Sequence, residues 1–95
     1  MQILPFDAAL EAMAHAAQNG QRLENWEGWI MMRDGTRIRS LSHGGSFALP
    51  RDPARAAETA TAAMRRARDA WGRNPEYPGA ELQFGLTFSP VEPAT

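Results

Sequence analysis

The chain of 95 residues contains no cysteine, and all ten of its Lys/Arg positions are arginine. The absence of cysteine excludes disulfides, thiolate nucleophiles and cysteine-ligated zinc. No segment approaches the roughly 20 consecutive apolar residues of a membrane-spanning helix, so we expect no membrane insertion. The opening residues Met1–Asp7 have no basic region and include an early acid. We therefore expect no signal peptide and a cytoplasmic location.

Charge is unevenly distributed along a chain whose net charge is only −1. Residues 28–73 hold nine arginines against four acidic residues, whereas residues 1–27 and 74–95 are each net acidic. A dedicated nucleic-acid binder usually has a clearly basic total. Nucleic acid is therefore not the favoured partner. Nucleic-acid binding through Arg37, Arg39 and the arginines of the second helix remains a further alternative for the function.

Two segments have helical periodicity. From Phe6 to Asn19, apolar residues recur at spacings of four and three, and Asn19-Gly20 is typical of a helix end. A longer helix is predicted after Asp52, a good N-cap, with Pro53 at the first helical position. Its apolar stripe also recurs at three and four residues. The stripe consists of Ala57, Ala60, Met64, Ala67 and Trp71. Such small residues suit packing on a sheet, and they also suit a second copy, so a homodimer is a further expectation.

Two glycine turns predict a three-stranded meander. Asp34-Gly35 is typical of a two-residue type I′ turn, which needs positive φ at both positions, and Gly44-Gly45 marks a second turn. Side chains alternate between sheet faces, so both turns predict the same core face. That face carries Trp29, Met31, Ile38, Phe47 and Leu49. The opposite face carries Ile30, Met32, Arg37, Arg39, Leu41 and Ala48.

A last strand is predicted from Glu81 to Ser89, where apolar and polar residues alternate without interruption. The prediction is an α+β fold: one small domain over residues 1–90, in the order α-β-β-β-α-β, with helices packed on an antiparallel sheet. Residues 91–95 are expected to form a disordered tail.

Residues able to carry chemistry do not form a catalytic pattern. His15 and His43 have no metal-ligand spacing, and Ser40 and Ser42 beside His43 lack the glycine-flanked elbow of a serine nucleophile. Glu24 and Glu27 flank Trp26 in a pattern typical of a solvated strand edge. We therefore expect a non-catalytic protein that uses no cofactor and no metal.

The predicted outer sheet face is the candidate partner-binding surface. Methionine and arginine are enriched in protein interfaces. The predicted partner-binding residues are Ile30, Met32, Arg37, Arg39 and Leu41. The alternative, equally open at this point, is that the first helix covers this face.

Trp26 and Trp29 form the second candidate cluster. Their odd spacing sends the two indoles to opposite faces of a regular strand, one into the core and one to an exposed or ligand-binding position. The alternative is that a bulge at Gly28 places both indoles on the same face. With the nearby Arg22, they are the residues predicted to bind a small ligand if the protein is a ligand-binding oligomer.

Two resemblances bear on function. Phe6-Asp7-Ala8-Ala9-Leu10, Gly20-Gln21-Arg22 and Trp26-Glu27-Gly28-Trp29 resemble the opening of the Thoeris anti-defence family. That resemblance covers residues 6–31 and implies a phage protein that sequesters a cyclic nucleotide in a homo-oligomer.

The remaining layout, a hairpin at Arg33-Asp34-Gly35, an alanine-rich helix and one strand, resembles small anti-CRISPR proteins. This resemblance implies a non-catalytic inhibitor that binds a CRISPR effector subunit. We therefore expect a phage- or prophage-encoded protein that blocks a bacterial defence component by surface binding. The cyclic-nucleotide-binding oligomer is the alternative.

Overall fold

The computed structural model describes residues 1–45 and 49–89 of the chain. Within these ranges two helices pack on a four-stranded antiparallel sheet, which confirms the predicted α+β class. The elements are β1 (Gln2–Leu4), α1 (Phe6–Gln18), β2 (Arg22–Met31), β3 (Arg37–Gly45), α2 (Pro53–Arg73) and β4 (Glu81–Ser89). The short strand β1 had no counterpart in the sequence prediction, and the predicted tail 91–95 lies outside the described residues.

The strand order explains why both helices lie on one side of the sheet. The order is β1-β4-β2-β3 with antiparallel neighbours, so β1 is parallel to β2 and β3 is parallel to β4. A helix connects each parallel pair across one intervening strand. The connections β1-α1-β2 and β3-α2-β4 start from strands that run in opposite directions, and they cross the sheet in opposite directions. Two such crossovers of the same hand therefore place their helices on the same face of the sheet. The other face receives neither helix.

The two helices begin and pack as the sequence predicts. The Asp52 carboxylate caps α2 by accepting the backbone N–H of Arg55 at 3.0 Å. The stripe residues Ala60, Met64 and Ala67 of α2 are buried. In α1, Met13 is only 1 % exposed. The predicted apolar stripe of α2 thus faces the core, and α1 buries Ala9, Met13 and Ala16.

The core lies between the helices and the inner sheet face. Its largest side chains include Phe84 of β4, which contacts Trp26 and Phe6 with ring centroids 5.9 and 5.8 Å away. The Arg68 guanidinium covers the outer side of Phe6, 4.0 Å from the ring centroid. Since α1 packs on the same face as α2, the alternative in which the first helix covers the outer face is wrong.

The β2–β3 hairpin has a different register from the predicted one. Ile30 faces Ile38, and Met31 faces Arg37. The loop contains three residues, 33–35, and is closed by the bond from the backbone N–H of Met32 to the carbonyl of Thr36 at 2.8 Å. Within the described chain only glycines have positive φ, and in this loop Gly35 alone has it, at 88°. A three-residue loop satisfies that restriction, whereas a type I′ turn would also require positive φ at Asp34.

This shift of one residue reverses the faces of β2. Ile30 is fully buried in the core, and Trp29 and Met31 point to the outer face. The prediction that Trp29 and Met31 belong to the core is therefore wrong. The predicted orientation of β3, with Ile38 inward and its arginines outward, is confirmed.

The second predicted turn is also wrong. Gly44 and Gly45 belong to β3, where they pair with Glu27 and Trp26 of β2. Residues 40–43 form an extra segment of β3 opposite Gly28, between the pairs Trp29–Arg39 and Glu27–Gly44. Of the strand predicted to follow, residues 46–48 lie outside the described residues, and Leu49 is half-buried against the core without belonging to a strand.

Candidate protein-binding face

Two cross-strand rows organise the outer face of the sheet. The first row is Arg39 on β3, Trp29 on β2 and Gln83 on β4. The second row lies two residues away from the first on each strand. It consists of Arg37, Met31 and Glu81. Each row thus runs from a cation on the edge strand, through a large apolar side chain, to an amide or acid on β4.

We call the side chains that point away from the helices the open sheet face. Its members are Ile3, Glu27, Trp29, Met31, Arg37, Arg39, Glu81 and Gln83. Trp29 and Met31 are half-buried, Arg37 and Arg39 are exposed, and Gln83 is only 7 % exposed. The face is therefore an apolar stripe with polar margins.

The charges on this face are only partly paired. The Arg39 guanidinium lies 3.3 Å from the Glu27 carboxylate, and the Glu27 side chain is 14 % exposed. Among the described residues, Arg37 takes part in no ion pair. An unpaired guanidinium beside an apolar stripe is a suitable contact for a partner's carboxylate.

The structure divides the residues predicted to bind a partner. Arg37 and Arg39 lie on the open sheet face as expected. Ile30 is fully buried on the inner face, which removes it from any surface of the folded chain. Met32 is half-buried beside the hairpin loop, and Leu41 is 96 % exposed at the extra segment of β3. The five residues therefore do not share one face.

The residues predicted for small-ligand binding are not brought together. Trp26 is 4 % exposed in the core, whereas Trp29 lies on the open sheet face, so the prediction of opposite faces is confirmed. Arg22 is at the start of β2, paired with Ser89. Trp29 lies seven positions further along the strand, a span of about 23 Å at 3.3 Å per residue.

The extra segment of β3, which carries the exposed Leu41, is held in place by hydrogen bonds and one aromatic contact. The buried Ser40 hydroxyl donates to the Glu76 carboxylate at 2.5 Å and accepts the backbone N–H groups of Ser42 and His43 at 3.3 and 3.2 Å. The His43 ring packs edge-on against Trp71, with centroids 6.3 Å apart. These contacts hold the segment between the sheet and the end of α2.

Other surfaces of the described residues are less organised for binding. A groove of about 340 Å³ between α1 and α2 is lined by small and apolar residues, with Glu58 and Arg65 also present. The α2 arginines lie on the helix side, opposite Arg37 and Arg39, so the two basic sets do not form one surface.

The described part of the chain has no cluster of three metal-ligating side chains. None of its helices is both long and apolar enough to cross a membrane.

No protein family, curated protein or solved structure matches this chain. The candidate binding face is therefore defined by its own geometry.

The sequence prediction missed Met1, Gln83 and Gly85, which lie around Trp29 on the open sheet face. The alternation from Glu81 to Ser89 predicts that Gln83 and Gly85 lie on the polar side of β4, yet both are buried. The available signal was a glycine on the polar side of a strand, which often marks close approach by another group.

Proposed function

We propose that this protein is a non-catalytic binding protein that docks a protein partner on the open sheet face. The observation that carries this proposal is the pair of rows Arg39–Trp29–Gln83 and Arg37–Met31–Glu81 on the face without helices. Tryptophan and arginine dominate the energetic centres of protein interfaces, and methionine is also enriched there. The face combines all three types in adjacent rows.

The charge layout defines the complementary partner surface. Arg37 and Arg39 lie along the β3 edge, whereas Glu81 lies on β4. The partner should therefore present acidic side chains toward β3 and an apolar patch toward Trp29 and Met31. Such complementarity fixes orientation and accelerates association more than it raises affinity.

The proposed biological role is inhibition of a bacterial defence component by a phage- or prophage-encoded protein. The two resemblances support this setting, and the small α+β layout supports a CRISPR effector subunit as the partner. An inhibitor of this type acts by occupying a surface that the effector needs, so it requires no catalytic group.

A plasmid-interference assay tests the role and the face together. Bacteria with an active CRISPR system receive a targeted plasmid, with or without the expressed protein. We expect the wild-type protein to restore plasmid survival. The double variant R37E/R39E should lose protection, whereas R65E/R66E, with the same charge change on exposed α2 positions, should retain it. Absence of protection by the folded wild-type chain would contradict the role, and equal protection by both variants would contradict the face.

A further inference from the structure

Two polar atoms on the open sheet face are buried without a hydrogen-bond partner among the described residues. They are the indole N–H of Trp29 and the amide oxygen of Gln83. The two residues are direct cross-strand neighbours on β2 and β4. An unsatisfied buried polar group costs about 1–3 kcal/mol, so each calls for a physical explanation.

The orientation of Gln83 leaves its oxygen available. The side-chain amide nitrogen of Gln83 donates to the Glu81 carboxylate at 3.2 Å. Because the nitrogen has this acceptor, the carbonyl oxygen is the atom left to accept a bond from elsewhere. The Gln83 side chain is thus an oriented, buried acceptor beside an oriented, buried donor.

A glycine and a methionine shape the site. A Cβ added to Gly85 would lie 2.7 Å from the Met1 sulfur and 2.8 Å from Trp29 Nε1. The indole edge and the thioether therefore occupy the depression above Gly85. Met1 is 64 % exposed and has an unbranched, flexible side chain, so it can move aside at small cost. We call the depression formed by Met1, Trp29, Gln83 and Gly85 the glycine notch.

The ligand chemistry follows from the two unsatisfied atoms. A carboxylate supplies acceptors only and an ammonium supplies donors only, whereas a carboxamide supplies both. The adjacent Arg39 is paired with Glu27, and the Glu81 carboxylate already accepts the Gln83 amide N–H, so both neighbouring charges have a partner within the protein. A neutral amide therefore suits the notch better than a charged group.

The distance between the partner's backbone and the notch decides whether a backbone amide or a side-chain amide fits. Sheets packed face to face lie about 10 Å apart, so the projecting Trp29 and Met31 keep a partner's backbone above the notch. We propose that the glycine notch binds the side-chain carboxamide of an Asn or Gln residue of the protein partner. Its oxygen accepts the Trp29 N–H, its NH₂ donates to the Gln83 oxygen, and Met1 is displaced. This inference rests on the proposed docking through the open sheet face.

The test uses acetamide as the probe and the indole N–H resonances of the ¹⁵N-labelled protein as the readout. Trp26 and Trp71 are internal references, and W29F identifies the Trp29 signal. We expect a saturable Trp29 shift with a Kd on the order of millimolar to tens of millimolar for so small a ligand. Acetate and methylammonium at equal concentration should give no saturable shift. Ethanol, whose single oxygen would have to serve both atoms, should give a weaker response than acetamide.

Matched variants connect the response to the notch. Q83L removes the acceptor and G85A places a methyl group in the depression, so both should lose the acetamide response. G44A should retain it, because an added Cβ there meets no atom within 4 Å. The reference indole resonances report whether each variant is folded.

Several results would overturn the inference. These are a Trp29 shift that does not saturate and matches that of Trp71, an equal response to acetate or ethanol, or an unchanged response in folded Q83L. A water cross-peak to the Trp29 N–H that persists at high acetamide would show that a trapped water holds the site. If acetamide fails while a partner still crosslinks to the open sheet face, the notch is contradicted and the docking proposal stands.

Discussion

The backbone carbonyl oxygen of His43 lies too close to Gly28 for residue 28 to carry a side chain. A Cβ added to Gly28 would come within 2.8 Å of the His43 oxygen and 2.9 Å of the His43 Cβ. Gly28 is buried on the inner side of β2, directly opposite the extra segment of β3. The absence of a side chain at position 28 therefore allows residues 40–43 to fold against the sheet.

Replacing Gly28 by alanine should destabilise the protein by about 1–3 kcal/mol, because the backbone of the β3 segment must shift to admit the methyl group. Urea unfolding measures the free-energy change. The matched control is G44A, which introduces no contact within 4 Å and should stay within about 0.5 kcal/mol of wild type. Equal stability of the two variants would show that the segment does not press on Gly28.

Ser40 should be the polar anchor of the same segment. S40A removes an acceptor for two backbone N–H groups and a donor to Glu76, so we expect a loss of about 1–3 kcal/mol. S42A changes an exposed side chain and should be nearly neutral. Amide hydrogen exchange at Ser42 and His43 checks the mechanism: exchange should accelerate in S40A, and unchanged protection there would contradict it.

Gln83 should lower the stability of the folded protein while strengthening its binding to the partner. Q83L replaces a buried, partly unsatisfied amide by an apolar side chain of similar size, which should leave the free energy of unfolding unchanged or raise it by about 1 kcal/mol. The same variant should weaken partner binding if the notch receives a carboxamide. Thermal unfolding measures the first effect. A loss above about 1 kcal/mol would mean that the Gln83 amide is satisfied in the folded protein.

The hairpin loop should contribute to acid sensitivity. The Thr36 backbone N–H donates to the Asp34 carboxylate at 2.9 Å, and this bond, with a weaker one from the Thr36 side chain, holds the pKa of Asp34 below its ordinary value of 3.8. A lowered folded-state pKa means that the unfolded chain binds the proton more readily. The contribution of Asp34 to stability is therefore present above about pH 4 and is lost as pH falls through the lowered pKa.

An NMR titration of the Asp34 carboxyl carbon measures this pKa directly. T36V removes only the side-chain bond and should keep most of the lowering, because the backbone bond is the larger cause. A pKa at or above the ordinary value in wild type would contradict the loop geometry.

The sequence predicts the elements better than it predicts their faces. The helices and β4 follow from uninterrupted periodicity, and β4 has the predicted bounds Glu81–Ser89. The face of β2 depends on whether the loop at Asp34 has two residues or three, and a change of one residue exchanges Trp29 for Ile30 in the core. No local pattern decides this, because the outcome depends on φ at Asp34 and on burial of Ile30.

The candidate site was predictable only in part. Arg37 and Arg39 were placed correctly, since Ile38 between them is apolar and turns inward. The glycine notch was not predictable, because it assembles Met1, Trp29 and Gln83 from three parts of the sequence that lie far from one another. Such contacts depend on the strand order β1-β4-β2-β3, which periodicity does not reveal.

Site-specific photo-crosslinking tests the docking face most directly. A benzophenone amino acid is placed at Met31 on the open sheet face or, as the matched control, at the exposed Thr59 of α2. In cells that contain the target, we predict one light-dependent adduct of defined mass from position 31, which the R37E/R39E changes reduce, and no such adduct from position 59. An adduct from position 59 alone, or none from position 31 of the folded protein, would contradict docking on the open sheet face.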